Sequence, residues 1–220
     1  MRRSAFCVAA LVLCSTSAAA ETIGFSPSPE KAGWRAIAMP GLRPARFSLG
    51  PEGALEIVAE NAVGWLWRPV SGQASSAGRA RWSWLVIDGV GATDLSQRGS
   101  DDRALAVYFV FSKEKGATKN PLAQLTGGSA HALVYVFGGK QARGSFITSP
   151  HLQSRGKFIV LRPADTQRNQ WFSERVKLAE DYARVFGPEM PPLIAVAVSS
   201  DSDDTRGRNL VRLRELSITP

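Results

Sequence analysis

One stretch constrains the fold of this chain more than any other: an acidic turn that leads directly into an uncharged run. Asp101 and Asp102 follow a Gly-Ser pair, and residues 104–111 contain no charged side chain. This run is short and rich in β-branched and aromatic residues, which favours a strand that is buried on both faces. We therefore predict that residues 104–111 form a central strand of a β-rich domain, with the two carboxylates at its beginning.

The remaining pattern also favours strands. A second apolar run, residues 193–198, predicts another central strand, and an acidic loop follows it at residues 199–209. Residues 210–218 alternate but change phase, which predicts a bulge near Arg214 and Glu215. About ten strands, separated by turn signals at short intervals, predict a mainly β fold, an antiparallel β-sandwich that is jelly-roll-like, with a β-barrel as the alternative.

Two local features add detail to this fold. The pair Gly138-Gly139 predicts the turn of a hairpin between strands at residues 131–137 and 145–148. In residues 169–186 the apolar positions recur at helical spacing, with Gly187-Pro188 as a stop signal. We therefore predict one packed α-helix near 169–186, lying on the sandwich.

The first twenty residues have the pattern of an export signal. Arg2 and Arg3 precede an apolar segment at residues 5–13, and three alanines end at Ala20. This pattern predicts a signal peptide at residues 1–20, too short for a lasting membrane span, and therefore a periplasmic or secreted protein with no transmembrane anchor after cleavage. The domain organisation that follows is an N-terminal arm at residues 21–50 and a single β-sandwich domain at residues 51–220.

The cysteine content and the net charge limit the disulfides and the partners that can be expected. Both cysteines of the chain, Cys7 and Cys14, lie inside the predicted signal peptide, so a disulfide is not expected after cleavage. The net charge is +8, and the loss of Arg2 and Arg3 would leave +6. This charge suits an anionic envelope polymer or a solvated, soluble surface, and no nucleic acid is expected, because no basic run exceeds two residues.

The carboxylates are the first candidate site. Asp101 and Asp102 precede one predicted central strand, while Asp201, Asp203 and Asp204 follow the other. If these strands pair in an antiparallel sheet, all five carboxylates lie at one edge. Asp101, Asp102, Asp201 and Asp203 would then suit a structural Ca²⁺ ion, which prefers hard oxygen ligands. The alternative is that the aspartates cap turns and pair with Arg103, Arg206 and Arg208.

Tryptophans are the second candidate site. Trp65 and Trp67 share one strand face next to Arg68, and Trp82 and Trp84 share another. An exposed aromatic face stacks on sugar rings, whereas a buried one belongs to the core. We predict that Trp65, Trp67 and Arg68 belong to a ligand-binding face and that the second pair is core.

The sequence offers little support for catalysis. His131 and His151 are the only histidines, and neither has a second metal-type residue at ligand spacing. Tyr108 or Tyr135 with a basic partner would suit a lyase, and two of the aspartates would suit a glycosidase. Nothing in the spacing selects either reaction, so whether the protein is an enzyme stays open.

Several motifs together resemble a known family. They are Trp82-Ser-Trp84, the Asp101-Asp102 pair with its strand, Trp171 followed by Glu174-Arg175, Glu180-Asp-Tyr182, and Asp201-Ser-Asp-Asp-Thr205. The pattern is similar to the bacterial exported family called domain of unknown function 3047, from about Phe47 to the end of the chain. Asp204 stands where that pattern has asparagine, and the resemblance implies no activity, cofactor or catalytic residue.

These observations leave three functions open. The first is an exported, non-catalytic binding domain for a glycan or another cell-envelope component. The second is a hydrolase or lyase that acts on polysaccharide through the aspartate cluster, which would need two carboxylates about 5–10 Å apart, one of them with a raised pKa. The third is an envelope interaction or assembly protein with an exposed apolar patch.

Overall fold

The computed structural model describes residues 20–114 and 120–220, so the predicted signal peptide, apart from Ala20, lies outside the described residues. In chain order the strands are β1 (Glu21–Thr22), β2 (Arg35–Ile37), β3 (Arg46–Leu49), β4 (Leu55–Glu60), β5 (Val63–Pro69), β6 (Arg79–Asp88), β7 (Arg103–Ser112), β8 (Ala130–Phe137), β9 (Phe146–Ser149), β10 (Gln153–Arg162), β11 (Phe172–Val176), β12 (Leu193–Asp201) and β13 (Arg208–Thr219). The helices are α1 (Pro121–Gly127) and α2 (Leu178–Phe186). Among these residues, neither helix has the length and apolar character needed to cross a bilayer.

The strands form two sheets packed face to face. Sheet A has the order β11-β6-β13-β4-β3, with β1 added along β13. Sheet B has the order β2-β5-β12-β7-β8-β10-β9. The fold is therefore mainly β, a two-layer, jelly-roll-like sandwich, as the sequence predicts. Neighbouring strands are antiparallel with one exception, because β8 and β10 run parallel.

That parallel pair corrects the predicted hairpin at Gly138-Gly139. β9 does not pair with β8 but with β10, which lies between them in sheet B. After the glycine pair, the chain runs past the sheet position next to β8 and forms β9 one position further out. It then turns back and forms β10 in the position between β8 and β9. Glycines mark the change of direction but carry no information on which strand pairs next.

Strand β7 lies at the centre of sheet B, as its uncharged sequence predicts. All ten of its residues are buried, because each face of the sheet is covered. On the inner face Phe109 contacts Trp82 of sheet A, with ring centroids 6.0 Å apart. Trp82 and Trp84 are buried in this inter-sheet core, which confirms the prediction for that pair.

The opposite face of sheet B has its own apolar cover. Here Tyr108 and the tryptophans of β5 pack under Leu125 of α1 and Leu152 of the β9–β10 turn. The sequence analysis did not predict α1. Its signals are an Asn120 side chain that accepts a hydrogen bond from the Leu122 amide (2.9 Å), followed by Pro121 at the first helical position.

The predicted helix at residues 169–186 is correct only in its second half. Residues 172–176 form β11, which pairs with β6, and α2 begins at Leu178. Phe172 and Val176 are four residues apart and fit a helix, but Glu174 between them is also buried, which gives a strand period of two. The end at Phe186, before Gly187, agrees with the stop signal.

Candidate functional site

The two acidic segments of the chain meet at one edge of sheet B. Strands β7 and β12 are antiparallel neighbours, with Arg103 at the start of β7 opposite Asp201 at the end of β12. This juxtaposition confirms that the two central strands pair. Five carboxyl groups lie at this edge, which we call the acidic rim: Asp101, Asp102, Asp201, Asp203 and Asp204.

Within the acidic rim, Asp102 organises the loop that follows β12. Its side chain is fully buried. One carboxylate oxygen accepts hydrogen bonds from the amide (2.7 Å) and the hydroxyl (2.6 Å) of Thr205. The other accepts a bond from the amide of Asp204 at 3.3 Å. Asp102 therefore caps a turn, which is the alternative interpretation of these aspartates.

Arg103 is the buried cation of the acidic rim. Its Nη1 lies 3.3 Å from an oxygen of Asp201 and 3.5 Å from an oxygen of Asp101, and its Nη2 donates to the Tyr108 hydroxyl at 2.9 Å. Burial by itself lowers the pKa of this guanidinium, but Tyr108 and the carboxylates of Asp201 and Asp101 more than offset it, so the pKa is raised. Arg103 therefore stays charged inside the protein.

Asp201 and Asp203 form a close acidic pair. Burial raises the pKa of Asp201 to about 9; Arg103 opposes this shift, while Asp203 and Asp102 add to it. Burial also raises the pKa of Asp204, and the charges of Asp102 and Asp203 act in the same direction. Burial among carboxyl groups therefore favours the protonated form of Asp201 at neutral pH.

The carboxylates of Asp102, Asp201 and Asp203 have oxygens within 4.8 Å of one another, which is the donor chemistry that Ca²⁺ prefers. However, both oxygens of Asp102 already accept hydrogen bonds from the loop, and Arg103 already provides a cation beside Asp201. Calcium takes six to eight oxygen ligands. The side chains of the acidic rim therefore fit a proton and a guanidinium better than a calcium ion.

Asp101 connects the acidic rim to a histidine from another part of sheet B. Its Oδ1 lies 3.1 Å from Nε2 of His151 in the β9–β10 turn. Arg98 donates from Nε to Nδ1 of His151 at 3.4 Å, so Nδ1 accepts and the ring proton lies on Nε2. The His151 side chain is 49% exposed, whereas that of Asp101 is 2% exposed. His151 is therefore the accessible end of this chain of hydrogen bonds.

A pocket of about 300 Å³ opens between the acidic rim and the outer face of sheet B; we call it the rim pocket. Its aromatic lining consists of Trp65, Tyr108 and Phe158. The polar lining includes Arg98, Asp101, Arg103, His151, Asp201, Asp203 and Asp204. An apolar surface, hydrogen-bond donors and hydrogen-bond acceptors thus face the same pocket.

Of the predicted ligand face on β5, only Trp65 reaches the rim pocket, where its ring centroid lies 4.2 Å from that of Tyr108. Trp67 is buried, and the guanidinium of Arg35 lies 5.3 Å from its ring centroid. Arg68 points to the opposite side of the strand, where it lies 4.0 Å from Glu21. The structure therefore does not bring Trp67 or Arg68 to the site, because Arg68 faces the opposite side of the strand and the ring of Trp67 lies under Arg35 of β2.

Sequence reasoning missed His151, Arg98 and Phe158 as members of this site. His151 lies 50 residues from Asp101 in the chain and meets it only because β9 and β10 fold back beside β8. The only local signal for His151 is its position in a turn, directly after a proline. Tyr108, which would suit a lyase if it had a basic partner, accepts a hydrogen bond from Arg103 at 2.9 Å.

Fold and site together define the class of this protein as a jelly-roll-like β-sandwich with an acid-lined pocket at one edge of a sheet. The model of the protein family of unknown function DUF3047 matches residues 32–216. The chain therefore belongs to this family, as its sequence motifs suggested. No curated protein matches the chain.

Solved structures of similar shape include a cellulase derived from Cel12A of Rhodothermus marinus (12% identity, TM-score 0.46, covering 92% of this chain and 95% of that chain). A family 11 carbohydrate-binding module from Clostridium thermocellum has 6% identity and a TM-score of 0.44, covering 93% and 97%. An adhesin domain of Lys-gingipain from Porphyromonas gingivalis has 16% identity and a TM-score of 0.39, covering 91% and 98%. These scores are too low to support an argument about function, which we base on the site.

Proposed function

We propose that this protein is a non-catalytic binding domain that holds a sugar unit of a cell-envelope glycan in the rim pocket. The observation that carries the proposal is an apolar floor, made by the nearly buried rings of Trp65, Tyr108 and Phe158 with the exposed Leu42 beside them, which meets the polar edge of the same pocket. Sugar rings have apolar C–H faces and hydroxyl edges, so they suit an aromatic wall beside donors and acceptors. Asp203 would accept from a hydroxyl, and Arg98 would donate to one.

The charge of the rim pocket narrows the ligand class. Four carboxyl groups line it; the raised pKa of Asp201 keeps that group neutral, and the other three outnumber the guanidinium groups of Arg98 and Arg103. This excess of acid repels a sugar that carries a carboxylate or a sulfate, because like charges in a desolvated site cost free energy. We therefore propose neutral or amino sugars as the ligands of this pocket.

The spacing of the carboxyl groups favours binding over hydrolysis. Asp201 has the raised pKa that a general acid needs. One oxygen of Asp201, however, lies within 4.8 Å of one oxygen each of Asp102 and Asp203, which leaves no room for the water that inverting glycosidases hold between carboxyl groups ~6.5–9.5 Å apart. In addition, Asp102 and Asp101 already have hydrogen-bonding partners within the protein.

An assembly protein of the envelope has less support than a glycan-binding domain. Among the described residues, Leu42 and Leu49 are the large apolar side chains that are exposed, and Leu42 belongs to the lining of the rim pocket. Export, which the sequence predicts, would expose the rim pocket to periplasmic or extracellular glycans. We propose that location together with the ligand.

The test is a panel of neutral, amino and acidic oligosaccharides, with binding followed by thermal shift and calorimetry. We expect a neutral or amino sugar to bind and the variant Asp203→Asn to weaken that binding about tenfold, through loss of a charged hydrogen-bond acceptor. The matched control is Asp165→Asn, an exposed aspartate that does not line the rim pocket.

We expect EDTA to leave sugar binding unchanged, because the acidic rim has its own cation in Arg103. Loss of binding in EDTA, restored by calcium, would instead identify a Ca²⁺ site at the acidic rim. Release of new reducing ends from a polysaccharide would favour the hydrolase. Failure of every sugar to bind would overturn the proposed function.

A further inference from the structure

A second cavity, on the outer face of sheet A, has the opposite charge. It has a volume of about 530 Å³ and lies over β6, β11 and the end of β13. Its polar lining consists of Arg79, Arg81, Arg175, Lys177, Ser217 and Thr219, with no carboxylate, and we call it the basic cavity. The rim pocket is formed at an edge of sheet B, so the glycan-binding proposal does not involve these residues.

The strand register brings the arginines of the basic cavity together. Arg175 of β11 lies directly opposite Arg81 of the antiparallel strand β6. Arg79 is two residues from Arg81 and therefore on the same face of the sheet. Like charges directly opposite each other on neighbouring strands are destabilising, and a bound anion would relieve that repulsion.

The arginines of the basic cavity differ from others on the same sheet because they have no protein counter-ion. Arg212 pairs with Glu56 at 2.8 Å, and Arg214 pairs with Glu52. By contrast, none of Arg79, Arg81 and Arg175 makes an ion pair with any described residue. Their charge is therefore available to a ligand.

Neighbouring side chains hold part of this site in place. The hydroxyl of Ser217 accepts a hydrogen bond from Nε of Arg81 at 2.9 Å, which fixes the plane of that guanidinium. Arg81 and Arg175 also line an adjoining hollow that contains Glu174 and Glu215. Glu215 accepts a hydrogen bond from Ser83 at 2.7 Å, and Glu174 pairs with Arg162 at 2.6 Å. Lys177 pairs with the exposed Glu180 and contributes less.

We propose that the basic cavity binds phosphate groups through the guanidinium groups of Arg79, Arg81 and Arg175. The planar fork of arginine matches the oxygens of a phosphate in pairs of hydrogen bonds, and three such forks suit an anion with two or more charges. Such phosphates occur on lipid headgroups and on soluble phosphate polymers, and the chemistry of recognition is the same for both.

The experiment has two arms, one for soluble phosphate compounds and one for lipid headgroups. Calorimetric titration with inorganic pyrophosphate and tripolyphosphate reports soluble anions, and co-sedimentation with phosphatidylcholine vesicles containing phosphatidic acid, a phosphomonoester, reports headgroups. We expect binding in at least one arm, and binding in one arm alone assigns the source. The double variant Arg81→Gln/Arg175→Gln should weaken that binding about 25-fold, about fivefold for each arginine.

The matched control is Arg43→Gln/Arg143→Gln, which removes the same charge from two exposed arginines outside the basic cavity. We expect this control to bind within about twofold of the unaltered protein, since screening by salt limits the effect of distant surface charges. Equal losses of affinity in the two double variants would show that binding depends only on net charge, and would overturn the proposed phosphate site. Absence of binding by the unaltered protein in both arms would overturn it as well. Because these probes are not sugars, the result is independent of the glycan-binding test.

Discussion

Asp201 and Arg103 show how single residues set the electrostatics of the acidic rim. Arg103 lies among Asp101, Asp201 and Tyr108, so burial does not remove its charge. Asp201 is in the opposite situation, because it is buried beside other carboxylates as well as beside the arginine. The rim therefore combines a permanent cation with a carboxyl group that stays protonated well above its usual pH range.

The raised pKa of Asp201 predicts that the free energy of unfolding of the protein decreases as the pH increases. The folded protein retains a proton, with a pKa of about 9, that the unfolded chain releases near the usual value of 3.8. This contribution to stability is therefore complete below pH 3.8 and is lost progressively as the pH rises to about 9. Asp201→Asn, which cannot ionise, should remove this dependence, whose slope is at most about 1.4 kcal/mol per pH unit.

Urea unfolding of the unaltered protein and of Asp201→Asn, at a series of pH values between 5 and 9, measures the difference. The exposed variant Asp165→Asn is the control and should follow the unaltered protein. Parallel profiles for the unaltered protein and Asp201→Asn would contradict the assignment of the proton to Asp201.

At the scale of elements, helix α2 is held on sheet B by two hydrogen bonds from strand β8. The hydroxyl of Tyr135 donates to Oδ2 of Asp181 at 2.7 Å. Nδ1 of His131 lies 2.7 Å from the hydroxyl of Tyr182. Burial raises the pKa of Tyr135 well above its usual value, and it also raises the pKa of Asp181. These polar contacts fix the position of a nine-residue helix that is too short to be stable alone.

We predict that Tyr135→Phe lowers the free energy of unfolding by about 1–2 kcal/mol, because Asp181 loses its buried donor. The measurement is a double-mutant cycle with Asp181→Ala in urea. We expect a coupling energy of about 0.5–3 kcal/mol for these contacting residues. Additive effects of the two substitutions would show that the bond does not hold the helix.

At the scale of the whole molecule, the segment before residue 51 is part of both sheets. β1 and β3 pair with strands of sheet A, and β2 pairs with β5 of sheet B. The same segment buries Ile23, Phe25 and Trp34 in the inter-sheet core. Phe25 and Trp34 stack with ring centroids 5.0 Å apart, and the Trp34 indole donates to the Gly24 carbonyl at 2.9 Å.

We predict that residues 51–220 do not fold without residues 21–50. Loss of three large core side chains, at about 2–5 kcal/mol each, would remove most of the ~5–15 kcal/mol by which a domain is stable. Far-UV circular dichroism and thermal unfolding of the shortened chain, compared with the chain that keeps residues 21–50, are the measurements. A cooperative unfolding transition in the shortened chain would show instead that the N-terminal segment is dispensable.

Several features of the protein follow from its sequence by itself. The strands at β6, β7 and β12 are marked by apolar or alternating runs, because burial of each strand face is a local property of the chain. The bulge near Glu215 follows from the change of phase and appears as a shift of register between Arg214 and Ser217. The meeting of the acidic segments follows from the antiparallel pairing of two central strands, once they are neighbours.

Other features are decided only by tertiary structure. Phe172 and Val176 fit a helix as well as a strand, and pairing with β6 selects the strand. His151 becomes part of the site because β10 takes the place beside β8 that a hairpin would have given to β9. Such choices depend on contacts between residues distant in the chain, whose free energies no local pattern encodes. The acidic rim could therefore be predicted from the sequence, but the pocket beside it could not.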